Sequence, residues 1–491
     1  MEDKKPSGLR PPLQNTSSAR ELEPDDRDLE KIRTWQQQRI EKKLRGEYES
    51  AVMHLSEVLN SNLSTPSQIS SVRVEGAHNT RPSFLKFLID PLIPPPSAEN
   101  DLSMALHSAR HIADVLKRTD IFRTVDVKLE RAMAPLASKH DVDLVFTTRE
   151  RGRFMIKTTT EFGDNEGSAQ ITSQFRNVFG GAETFSANLS HGTTTKMAFN
   201  AALTAPLTSN LGTYGEVHLF GHERDITSYA SCKEGIRGAK AIVRSGQIPT
   251  GMHQVAYEAV LRHIGGLKDE ASLSIREAAG QSVKSSLSHT FSLDSRDDRL
   301  FPTKGFYLKT FHEMAGLGGD TSFLKSETHA QVSRPLFSGV SLSLAARSGL
   351  LWGLNSRPTL FSDRFQLGGP SSVRLFRANS MGPRDNADSL GGEMYWSAGL
   401  SLISNLPKKP DWPIKTHAWV NAGRLDNVDK SRSLQENVVA SLSKPSVSAG
   451  IGLIYNFDPI RVEVNFGLPL LASKSDGSRR GFQVGIGLDF L

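Results

Sequence analysis

Two kinds of residue in this 491-residue chain could do chemistry: ionisable side chains that build catalytic or metal sites, and arginines that brace buried carboxylates. The first kind shows no working pattern. There is one cysteine, Cys232, so neither an internal disulfide nor a cysteine metal cage can form, and the 14 histidines fall into no ligand-spaced cluster. No P-loop, H-E-x-x-H, G-x-S-x-G or complete G-x-G-x-x-G is present. The reading is a protein that is not an enzyme, with no catalytic residue, no cofactor and no metal.

The second kind is concentrated. "FQLGGPSSVRLFRANSMGPRDNADSLGGEMYW" (365–396) carries Gly368 and Gly369, the run Val373-Arg374-Leu375-Phe376, and the run Gly382-Pro383-Arg384-Asp385. A guanidinium does its chemistry here by forked hydrogen bonding to a carboxylate or amide. A third stretch works through its backbone. "GFQVGIGLDFL" (481–491) alternates strictly: Phe482, Val484, Ile486, Leu488 and Phe490 share one face, Gln483, Gly485, Gly487 and Asp489 the other. A strand edge presents N–H and C=O groups that can pair with another chain.

What elements would position these stretches? Composition bounds the answer. Hydrophobic residues make up 37% of the chain, there are 40 glycines, and no run approaches 18 apolar residues, so no transmembrane helix is expected. A transmembrane barrel remains open, because half the residues of its strands are polar. The formal charge of +6 comes from 59 basic and 53 acidic residues that are interspersed, so nucleic acid is not expected as a partner. The start, "MEDKKPSGLRPPLQ", lacks the charged-then-apolar pattern of a secretory signal.

Along the chain, residues 1–68 read as a Pro/Ser-rich disordered segment, a charged amphipathic helix over about 26–59 and a linker. Residues 69–150 read β-α-α-β-β, a small α+β domain. From about 151 to 491 the texture is alternating strands rich in Gly and Ser, about sixteen of them. Short turns (334–339, 405–412, 456–460) alternate with long connections (354–388, 423–444, 468–479). That is the pattern of a membrane barrel, although a soluble barrel or propeller also alternates. His289 and His312 fall in alternating strands and are expected as lumenal polar residues rather than ligands.

The order of motifs resembles one family. "VRVEGAHNT" followed by two helices and two strands resembles a POTRA domain. "FSLDSRDDRLFPTKGFYLKTF", the 365–396 stretch, "WVNAGRL" and "GIGLIYNFDPIRVEVNFGLPL" resemble, in that order, the barrel of the outer-membrane β-barrel insertase superfamily (BamA-like). The single POTRA-like unit and the N-terminus are similar to its mitochondrial branch, the barrel subunit of the sorting and assembly machinery (SAM), of fungal type. The fold implied is an all-β transmembrane barrel of about sixteen antiparallel strands preceded by one POTRA domain.

The resemblance also implies roles for residues. The 354–388 loop would fold into the lumen, where Arg374, Arg377 and Arg384 find partners; an arginine facing lipid near the midplane would cost about 2–4 kcal/mol. The tetrad departs from the family in Leu375, where glycine is usual. The barrel-wall motif departs in Asn421, where the family has aspartate, so Asn421 and Glu463 are the two candidate partners of Arg374. A lateral gate would lie between the last strand and the first, Arg153, Phe154, Met155, Ile156, Lys157, Thr158, Thr159, Thr160, Glu161 and Phe162. In the last strand Gln483, Gly485, Leu488 and Phe490 fit the β-signal of client barrels, with the apolar face toward lipid and Gln483 and Asp489 toward the lumen. An incoming strand would pair at the gate by β-augmentation. The implied function is insertion and folding of β-barrel precursors in the mitochondrial outer membrane, with the N-terminus and POTRA domain in the intermembrane space. Implied partners are those precursors, peripheral SAM subunits of glutathione-transferase-like or metaxin type on the cytosolic face, membrane lipids and another outer-membrane barrel. A passive solute pore, or a polypeptide-translocating barrel of chloroplast or bacterial type, is the alternative.

Overall fold

The computed structural model describes residues 26–44, 56–58, 60–95, 100–133, 135, 137–163, 166–355, 357–406, 409, 412–457 and 460–487. The chain divides into two compact units. One draws on Met1–Glu75, Pro91–Asp114 and Val125–Thr148, the other on Gly76–Asp90, Val115–Thr124 and Arg149–Leu491.

Near the N-terminus lies α1 (Asp26–Leu44), within the expected 26–59 helix, of which residues 56–58 are also helical. The β-α-α-β-β order follows as β1 (Gln68–Glu75), α2 (Pro82–Ile89), α3 (Leu102–Arg118), β2 (Phe122–Arg131) and β3 (Asp141–Glu150). The three strands form a sheet in the order β1-β3-β2, with β1 parallel to β3. On α3, Ala105, Ala109 and Ile112 recur at helical spacing and are buried, as are Leu144 and Phe146 of β3.

The second unit is dominated by one sixteen-stranded sheet. Its strands begin with β4 (Phe154–Gly163), β5 (Glu166–Arg176), β6 (Thr184–Gly192), β7 (Thr195–Pro206) and β8 (Thr213–Asp225). They continue with β9 (Lys233–Gln247), β10 (Gly251–Gly265) and, after the short helix α4 (Leu273–Glu277), β11 (Gly280–Asp294), β12 (Gly305–Gly319), β13 (Phe323–Phe337) and β14 (Val340–Gly353). Two two-residue strands, β15 (Arg384–Asp385) and β16 (Asp388–Ser389), make a small hairpin apart from the sheet. The sheet resumes with β17 (Met394–Asn405) and β18 (Ile414–Asp426). Helix α5 (Leu434–Ser443) precedes β19 (Ser446–Phe457), β20 (Ile460–Leu471) and β21 (Gly481–Gly487). Every neighbouring pair is antiparallel, and the order follows the sequence from β4 to β21. The two end strands lie beside one another, with Cα atoms within 8 Å, so the sheet curls into a barrel. Among the described residues no ladder joins β21 to β4.

Alternation decides the faces. Val255, Tyr257 and Leu261 of β10 and Val283 and Leu287 of β11 are exposed on the outer wall. The inner wall carries charge: Lys240 of β9, opposite Glu258 of β10 in register, is followed diagonally by Lys284 of β11 and Glu313 of β12 in a chain of alternating sign, with Lys284 Nζ 3.0 Å from Glu258 and 2.7 Å from Glu313. Among the described residues no helix is long and apolar enough to cross a membrane; the outer wall of the barrel supplies the apolar surface instead.

His289 and His312 are corrected by this parity. They share faces with Leu287 and with Phe306 and Met314, so they point outward, not into the lumen. Alternation shows which residues share a face but not which face is inside. Lys284 and Glu313, of opposite parity, take the interior. The histidines lower the cost of facing outward by pairing locally: His253 Nδ1 lies 3.2 Å from His289 Nε2, and His312 Nδ1 lies 3.1 Å from Ser326 Oγ.

Candidate functional site

The longest described connection, between β14 and β17, folds into the barrel. Val373, Arg374, Leu375 and Phe376 are fully buried there, and Val373 and Phe376 pack in one cluster with Leu351, Phe365, Met381, Tyr395 and Leu425. The backbone reverses at Leu375, whose φ of 65° is a left-handed conformation that disfavours a Cβ. This is the position where the tetrad departs from glycine. The strain is held by surrounding contacts: the Ser448 hydroxyl donates to the Arg374 carbonyl at 2.7 Å, and the Arg479 amide to the Leu375 carbonyl at 2.8 Å.

At the turn the Arg374 side chain reaches the wall of β18–β20. Its Nε donates to Glu463 Oε2 at 2.9 Å, Nη2 to Glu463 Oε1 at 3.1 Å and Nη1 to Asn421 Oδ1 at 3.0 Å. The guanidinium also lies over the Trp419 ring, 5.4 Å from its centroid. Glu463 is shared, because Arg461 Nη2 approaches its Oε1 at 2.5 Å. The Asn465 amide donates to Oε2 at 3.0 Å, and His417 bonds Asn465 behind it. The two candidate partners of Arg374 are thus both brought to it: one with full charge, one as a neutral acceptor. In the low-dielectric interior such a pair is favourable only where further partners complete the carboxylate, as Arg461 and Asn465 do for Glu463.

Gln483 on β21 joins the same turn from the other side. Its Oε1 accepts from the Leu375 amide at 2.8 Å and its Nε2 donates to the Phe376 carbonyl at 3.1 Å. The outward neighbours Phe482 and Val484 are exposed, and Gly485 sits opposite Glu463 in register. Leu488, Asp489 and Phe490 lie outside the described residues.

Further along, the connection reaches the far wall, in part through Asp388 and Asp363, which the sequence did not signal. Asp388 accepts from the Ser231 amide and hydroxyl at 2.8 and 2.7 Å and from the Ser272 amide at 2.8 Å. Asp385 accepts from the Ser274 hydroxyl at 2.8 Å, and the buried pair Arg262–Asp363 closes at 2.7 Å. Gly382 donates its amide to Asp476 at 3.0 Å. Gly368 and Gly369 have φ of 105° and 124°, which only glycine adopts without strain. Arg377 and Arg384 are exposed rather than partnered in a buried site, whereas Arg374 is buried. The first strand exposes Phe154, Met155 and Ile156.

An antiparallel sixteen-stranded barrel, with its longest connection folded inward and pinned by an arginine to its closing strands, defines the class: an Omp85-type barrel. The Omp85 superfamily domain matches residues 177–490. The SAM50-like protein of Schizosaccharomyces pombe is 35% identical over 90% of this chain and 95% of its own length. The human sorting and assembly machinery component 50 homolog is 33% identical over 78% of this chain and 82% of its own. The chain belongs to the SAM50 family. Its fold is also that of BamA from Haemophilus ducreyi lacking POTRA domains 1–3, at a TM-score of 0.70 and 18% identity, over 86% of this chain and 84% of that one.

Proposed function

We propose that this protein inserts and folds β-barrel precursors into the mitochondrial outer membrane, the sorting and assembly role that its relatives' names carry. The observation that carries the mechanism is the seam: β4 and β21 are adjacent, yet among the described residues no ladder joins them. In a bilayer, unpaired backbone groups cost several kcal/mol each, on the order of a hydrogen bond in hydrocarbon. An edge kept available in that setting binds an incoming strand by main-chain pairing, and alternate side chains select it. Gln483, Gly485, Leu488 and Phe490 then make the last strand a copy of the β-signal that β4 reads in clients. Arg153–Phe162 is the template, and Arg374 holds the loop against the strands that close the barrel. Strand pairing drives the step, so no nucleophile, metal or cofactor takes part.

The POTRA domain and N-terminus would lie in the intermembrane space. Peripheral subunits of glutathione-transferase-like or metaxin type would bind the cytosolic face, and a second outer-membrane barrel is a further candidate neighbour. The inward loop, buried across the lumen, argues against a passive solute pore. Reconstitution tests the reading: proteoliposomes holding the protein should accelerate protease-resistant assembly of a purified barrel precursor. Ion conduction without any acceleration would favour the pore. A client protected inside the vesicle lumen would favour a translocating barrel.

A further inference from the structure

Helix α5 is fixed in place yet shows apolar side chains outward. It begins with a capping box, Ser433 Oγ accepting from the Glu436 amide at 3.2 Å and Glu436 accepting from the Ser433 amide at 3.1 Å. Asn437, on its buried side, donates to the Asp429 carbonyl at 2.9 Å and accepts from the Asp429 amide at 3.0 Å. Leu434, Val438 and Leu442 recur every fourth residue on another side, and each is 40–53% exposed. A stripe at i, i+4, i+8 on an anchored helix is written to meet an apolar surface.

The surroundings say which surface. The stripe borders a groove of about 230 Å³ whose other wall is the outer face of β13, β14 and β17. Leu350, Met394 and Trp396 line that wall; Trp396 Nε1 lies 3.5 Å from the Ser441 carbonyl oxygen. On these same strands the outward parity also carries Leu324, Leu344 and Leu400, the exposed belt of the barrel. The groove is therefore continuous with the lipid-facing wall. Trp352 and Trp396 stand on that wall near the end of the strands, where tryptophan marks the membrane–water boundary. The groove floor adds three hydroxyls, Ser326, Thr328 and Ser348.

We propose that α5 is an interfacial helix that lies in the leaflet at the end of the barrel bearing the long connections, and that the groove beneath it holds a phospholipid. Apolar sides with a hydroxyl floor suit the glycerol-ester segment and upper acyl chain. Leu434, Val438 and Leu442 enter the acyl boundary while Glu436 stays in water. This rests on the reading of the sheet as a membrane-spanning barrel.

Spin labels on single cysteines at Val438, Leu442, Glu436 and Leu287 test it in phosphatidylcholine vesicles. Burial pushes the native Cys232 thiol up to about 12, which keeps it from competing for label. Val438, Leu442 and the mid-wall control Leu287 should collide with oxygen several-fold more than with an aqueous nickel chelate, and Glu436 the reverse. Nickel access at Val438 and Leu442 with oxygen-favoured Leu287 overturns the proposal, as does exclusion of both reagents, which means protein covers the stripe. Nickel access at Leu287 overturns the membrane-spanning reading itself.

Discussion

Arg374 and Glu463 meet through two parallel hydrogen bonds, 2.9 and 3.1 Å long, with neither side chain exposed. The pair joins the inward connection to β20 near the start of that strand, at the position opposite Gly485 of β21. Because Glu463 also holds Arg461, its loss takes the carboxylate counter-charge from two buried guanidinium groups, whereas loss of Arg374 leaves Glu463 paired. Glu463→Gln should therefore cost about 3–5 kcal/mol of barrel stability and Arg374→Ala less. Heat-dependent gel mobility of the folded barrel checks the order of the two; equal melting of both variants and the parent would refute it.

Asn421 offers a neutral acceptor to Arg374 at 3.0 Å. Asn421→Asp should turn that bond into an ion pair, with charge on the acceptor as well as on the donor, and raise the melting temperature of the folded barrel. Thermal unfolding in detergent reads the change, and a lower midpoint would contradict it.

Leu375 sets two effects against each other. Glycine there would relieve a left-handed strain of about 1–2 kcal/mol. It would also remove a fully buried side chain, a loss of about 2–5 kcal/mol. Leu375→Gly is expected to destabilise on balance, and a stabilised variant in the same melting assay would show that the strain dominates.

Gln483→Leu keeps the volume but leaves the Leu375 amide and the Phe376 carbonyl without their side-chain partner. The expected cost is about 1–3 kcal/mol, concentrated in the connection. Arg377 is exposed beside this turn, so trypsin should cut after it faster in the variant. An unchanged rate would mean that β21 does not secure the turn.

Asp388 ties the hairpin to the 226–232 and 266–279 connections. Burial would raise its pKa, but the bonds from Ser272 and Ser231 outweigh burial and hold it below the ordinary 3.8. A depressed carboxyl stabilises the fold above its unfolded pKa and loses that contribution as pH falls through its folded value. Asp388→Asn should thus melt lower than the parent at pH 7, with the gap closing as pH drops below 3.8. A pH-independent gap would be at odds with this.

The strand count, the order of the small α+β unit and the length of the connection could be read from alternation and turn spacing, whereas the inward course of that connection was implied only by the family resemblance. Those signals are local, and the barrel repeats them sixteen times. The partners of Arg374 were narrowed to Asn421 and Glu463 only because a family pattern supplied a wall position and parity supplied a face. The outward placement of His289 and His312 was illegible, since a period of two carries no sign; Lys284 and Glu313, their opposite-parity neighbours, would have given it. Asp388 and Asp363 bond residues 157 and 101 positions distant in sequence, and no spacing rule reaches across a barrel.

The central claim is that clients enter at the β4–β21 seam. Single cysteines through 153–162 and 481–487, paired with one in the closing strand of a barrel precursor, address it most directly during import. The account predicts cross-links to β4 at alternate positions, formed before the client is released into the membrane. Assembly that proceeds with no cross-link to either strand would contradict it.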